Sequence, residues 1–82
     1  MPRIFDIREP SVAALRDAPV YFRYGNNRNR VLVDALTANA VLALYDALTS
    51  EEAKAKLARM VAGSYRQFER VVEFSWEHVK IG

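Results

Sequence analysis

The chain has no cysteine, which removes disulfides and thiolate metal sites together. Its single histidine leaves a histidine-based metal site without a second ligand. Gly-rich phosphate loops, nucleophile elbows and dinucleotide fingerprints are missing. Apolar runs stay far short of the roughly 20 residues that span a membrane, and residues 1–10 carry charges where a signal peptide needs an apolar core. Glycine and proline are scarce at three each, while 51% of residues are hydrophobic and 27% are charged. That composition excludes disorder. At 82 residues the chain is long enough for one domain, 1–82, and too short for two. These absences predict a cytoplasmic domain with no membrane segment, no cofactor and no metal, which binds rather than catalyses.

What is present changes character once, near Thr37, from a strand and hairpin part over 1–36 to a helical part over 37–80. Residues 3–8 alternate around Ile4, Phe5 and Ile7 and read as a short edge strand. Pro10 suits the first turn of a short helix over 11–17, with Val12, Ala14 and Leu15 inward. Pro19 opens a strand in which Val20, Phe22 and Tyr24 alternate with Tyr21 and Arg23. Gly25, Asn26, Asn27, Arg28 and Asn29 tolerate positive φ or form side-chain turns. A second β-branched run over 30–35 follows, with Val31 and Val33 on one face and Leu32 on the other. Two alternating runs about such a loop make a β-hairpin, which needs a helix layer to persist in water.

Thr37 is the expected N-cap of that layer, with Val41, Leu44, Tyr45 and Leu48 as the buried stripe. Thr49, Ser50, Glu51 and Glu52 read as a capping box opening a second helix, whose inner face is Ala53, Leu57, Met60 and Val61. Gly63 admits two outcomes. It can end that helix, with residues 64–67 as another capping box, or it can sit inside one long helix. Leu57, Val61, Phe68, Val72, Ser75 and Val79 stay in phase through it, and an interior glycine costs only about 1 kcal/mol relative to alanine. The balance favours one long helix bent at Gly63. Beyond it, Val72, Phe74 and Trp76 alternate like a strand, but the helical wheel is the better fit. Phe68, Val71, Val72, Trp76 and Val79 share an arc of about 140° at 3.6 residues per turn. Arg66, Glu69, Arg70, Glu73, Glu77 and Lys80 lie opposite, with Arg66–Glu69 and Arg70–Glu73 spaced as ion pairs. Phe74 is the misfit, projecting from the polar side. The expected fold class is α+β: an N-terminal β-hairpin with a third short edge strand, packed against two or three C-terminal helices, the last one long.

No catalytic residues are expected. His78 falls in a last helical turn, where a cation favours the helix dipole. Glu69, Glu73 and Glu77 form a ridge interleaved with lysine and arginine, which reads as a solvated face rather than a cation site. Two binding surfaces remain. The first is a protein interface, to a second copy or another partner, using Tyr65, Phe74, Trp76 and Tyr21 beyond what a small core needs. The second is a nucleic-acid surface on the hairpin. Net charge is only +2, but residues 18–33 contain no acid while Arg23, Arg28 and Arg30 cluster beside Tyr24, and arginine with aromatics suits phosphates and bases. The protein interface is the leading expectation and nucleic acid the alternative.

The stretches Arg3, Ile4, Phe5, Asp6, then Ala18 to Phe22, then Val31, Leu32, Val33 leading into Leu36 to Leu42 resemble a family of short bacterial proteins classed as domain of unknown function 1488. The chain departs from it in lacking a glycine-then-basic turn and a cysteine on the second hairpin strand. The resemblance implies an α+β fold and a bacterial origin, and no activity.

Overall fold

Where the hairpin ends, Asp34 starts the helices, and the two halves close on one core. The computed structural model describes residues 6–25 and 30–81. It contains strands β1 (Ile7–Arg8), β2 (Val20–Arg23) and β3 (Arg30–Val33), and helices α1 (Val12–Leu15), α2 (Ala35–Ala47), α3 (Glu51–Gly63) and α4 (Tyr65–Ile81). The architecture is α+β, a three-stranded sheet in the order β1-β2-β3 packed with helices of which the last is longest. β2 and β3 form the expected antiparallel hairpin, with Val20 opposite Val33 and Arg23 opposite Arg30. β1 runs parallel to β2, with Ile7 level with Tyr21. A parallel neighbour needs a crossover connection, and the segment carrying α1 provides it. Ser11 caps α1 by accepting the Ala14 N–H at 3.0 Å, so Pro10 stands before the cap rather than in the first turn. The Ala18–Pro19 peptide bond is cis. Gly25 takes a φ of 60°, a left-handed conformation that glycine enters without a Cβ penalty. The expected strand residues 3–5 and the loop 26–29 lie outside the described residues.

Alternation sends Val20, Phe22 and Val33 to the helix side of the sheet. There they meet Leu15 of α1, Val41 of α2, Leu57 and Val61 of α3, and Phe68 and Val71 of α4, all buried. Ala38 and Ala40 are also buried on α2, while Leu44, Tyr45 and Leu48 of the expected stripe are half-buried. The rings of Phe22 and Phe68 lie 5.5 Å apart and tie sheet to helix. Ser75, the one buried polar side chain among the described residues, donates its hydroxyl to the Val71 carbonyl at 2.6 Å.

Two helix starts differ from the expected positions. α2 is capped by Asp34, whose carboxylate accepts the Thr37 N–H at 2.7 Å. Thr37 is thus a first-turn residue, because an aspartate directly after the strand satisfies its amide. α3 is capped by Ser50, accepting the Ala53 N–H at 3.3 Å, and not by Thr49. Glu51 and Glu52 still occupy the first turn, where negative charge meets the positive end of the helix dipole.

The single long helix is not formed. Ser64 takes an extended conformation (φ −154°, ψ 162°) and caps α4 by accepting the Gln67 N–H at 3.2 Å. α3 and α4 therefore make a helical hairpin. An unbroken helix over 51–81 would run about 46 Å at 1.5 Å per residue, longer than the molecule's 40 Å longest dimension. Folding back lets Leu57 and Val61 reach the same core as Phe68 and Val71, so the continuity of phase across Gly63 is a coincidence of spacing. One further expectation fails on α4. Neither Arg66–Glu69 nor Arg70–Glu73 closes, since the ion pairs among the described residues are Arg8–Asp17 and Arg16–Asp46. Trp76 and Val79, on the apolar arc of the wheel, are exposed, because the helix runs on past the core and residues 76–80 all lie exposed.

Candidate functional site

The face of the sheet turned away from the helices carries two cross-strand rows. Ile7, Tyr21 and Leu32 stand level with one another, and beside them Arg23 faces Arg30. Like charges directly opposite on a sheet cost stability, so this pair is not there to hold the hairpin together. The Arg30 guanidinium lies 5.9 Å from the centre of the Tyr21 ring, within cation–π range. Arg28 lies outside the described residues.

Tyr24 does not share that face with the arginines. Its hydroxyl donates to the Val61 carbonyl at 2.8 Å, one of the α3 C-terminal carbonyls that has no partner within its own helix. The Tyr24 ring packs near Phe22, Tyr65 and Phe68. Burial, and then the nearby Tyr65 phenol, hold its pKa well above the usual tyrosine range. Tyr21, which the hairpin's alternation already put on the outer face, is the aromatic that stands with Arg23 and Arg30. A cleft of about 320 Å³ between the strand ends includes Arg8 and Arg23. Arg8 is already bonded to Asp17 at 2.9 Å, and Glu9 lines the same cleft, which makes it a poor anion site.

The four expected interface residues are distributed over three surfaces. Tyr21 is on the outer sheet face. Phe74 and Trp76, two positions apart on α4, point about 160° away from each other and straddle the buried line of Phe68, Val71 and Ser75. Phe74 is 56% exposed and borders an apolar groove of about 410 Å³, formed by Leu44, Leu48, Leu57 and Met60 with Glu77 and His78 at the rim. On the other flank Trp76 is 41% exposed and joins Tyr65 and Val79, each 45% exposed, through half-buried Val72. A second groove of about 260 Å³ runs there between α4 and Val31 and Leu32 of β3. This stripe was visible in the sequence as the seven-residue spacing of Tyr65, Val72 and Val79. Helical phase alone does not separate a core stripe from one that outruns its core.

Among the described residues no three His, Asp or Glu side chains gather into a group that could hold a metal ion. No described helix is long and apolar enough to cross a membrane. No family model, curated protein or solved structure matches the chain.

Proposed function

We propose that this chain is a small bacterial, cytoplasmic accessory protein that binds rather than catalyses, and that it regulates or assembles with a protein partner through α4. The carrying observation is the mismatch between α4 and the core beneath it. Phe74, Trp76 and Val79 are presented to solvent on a helix whose buried line ends at Ser75. Large aromatics left out of a small core are the anchors that interfaces use. The fitting partner is a protein segment that lays an apolar helix along one of these flanks. Affinity capture with the parent chain as bait, beside Trp76→Ala and Phe74→Ala baits, tests this. A set of proteins retained by the parent and lost by either variant is expected. Identical sets from all three baits would remove α4 as the interface.

A second reading is favoured by one specific feature, the Arg23 and Arg30 pair beside Tyr21 on an open sheet face. That arrangement suits a single-stranded nucleic acid, with phosphates on the guanidiniums and a base on the ring. Binding would be salt-sensitive and lost on combining Arg23→Ala with Arg30→Ala. No mobility shift at low salt would end this reading.

A further inference from the structure

We infer that the occupant of the Trp76 flank of α4 is a second copy of the same chain, packed antiparallel; this rests on α4 being the interface. Val72, Trp76 and Val79 give a narrow apolar stripe at four- and three-residue spacing, the repeat of a helix–helix seam. Tyr65 continues the line but is committed to the ring cluster with Tyr24 at 6.4 Å. Along the outer border of the stripe lie Glu69, Glu73 and Lys80, all exposed and none in an ion pair among the described residues.

Their spacing makes the border self-complementary in one orientation only. An antiparallel copy with its two-fold axis crossing α4 near residue 74 sets each Val72 against Trp76 of the other copy. The same axis brings Glu69 opposite Lys80 of the other copy to within about one residue's rise, 1.5 Å, and it does so twice, against a single like-charge approach of the two Glu73 side chains beside the axis. A parallel copy would carry the Glu69 and Lys80 border of each chain to opposite sides of the seam, where the charges do not meet. The apolar area on offer is limited. The exposed parts of these side chains keep the seam below the roughly 1,200 Å² total at which stable interfaces begin, so the dimer is one that exchanges with monomer.

Sedimentation equilibrium from micromolar to millimolar chain, run on the parent and on four variants, tests the seam. The parent is expected to show a monomer–dimer equilibrium, and Trp76→Ala to raise the dissociation constant by about tenfold or more. Glu69→Lys and Lys80→Glu should each weaken the dimer about two- to fivefold. The combined reversal should restore it, since the two charges are only exchanged across the seam. All of these positions are exposed, and circular dichroism verifies that each variant is folded. A parent that stays monomeric at millimolar concentration overturns the self-pairing, as does a dimer indifferent to Trp76 or one in which the two reversals weaken additively. The broader reading fails separately, when capture is unchanged by Trp76→Ala and Phe74→Ala.

Discussion

Asp34 shows how much one side chain at a boundary decides. It takes the Thr37 N–H through its carboxylate, and that bond from the Thr37 backbone, seconded by its side chain, holds the Asp34 pKa below the usual value. A depressed carboxylate pKa adds stability above the unfolded value of about 3.9, and this is lost as pH falls through the folded value. Asp34→Ala is expected to lose about 1 kcal/mol at neutral pH. Asp34→Asn should keep most of the cap while flattening the acid limb, and urea unfolding from neutral to acidic pH reads both. Tyr24 has the opposite sign. Its raised pKa means stability is steady below the ordinary tyrosine value of about 10 and falls above it, as the unfolded chain ionises first. Tyr24→Phe should reduce that alkaline fall, and cost about 1–2 kcal/mol at neutral pH by leaving the Val61 carbonyl without its donor.

The turn between α3 and α4 assigns the helix break to Ser64 rather than to its neighbour. Gly63 has no left-handed backbone, and a Cβ there would meet only the flexible end of the Gln67 side chain. Gly63→Ala is therefore expected to leave thermal stability unreduced, whereas Ser64→Ala should lower it by about 1 kcal/mol. Loss of stability in Gly63→Ala alone would reverse the assignment. The same turn marks the limit of what was legible at this scale. The capping box over 64–67 was in the sequence, but so was the unbroken phase of Leu57, Val61 and Phe68, and local energies of about 1 kcal/mol do not choose between them. The elements themselves were plain: the hairpin from its alternation, and the C-terminal helix from its wheel in spite of the strand-like Val72, Phe74 and Trp76.

Across the molecule, one small core carries four helices and a sheet, and Phe22 sits at its centre with no exposure. Phe22→Ala should cost about 3–5 kcal/mol. Small domains have about 0.05–0.15 kcal/mol per residue in hand, so a large share of the stability of this one would go. Denaturant unfolding checks this, and a cost near that of a surface substitution would show that the core is not organised around Phe22. The ion pairs among the described residues, Arg8–Asp17 and Arg16–Asp46, are exposed and add little to that balance.

Residue order alone determined the α+β class, the hairpin with its outward arginines, the short α1, and the scarcity of groups from which to build catalytic chemistry. Each of these follows from periodicity or composition, which act over a few residues. Only the tertiary structure decided that the helix breaks at Ser64, that the Tyr24 hydroxyl finds the Val61 carbonyl, and that Trp76 and Val79 stay exposed beyond the core. Those outcomes depend on where α2 and α3 stop covering a seventeen-residue helix. Burial is a property of what lies across from a residue, and a helical wheel contains no term for it.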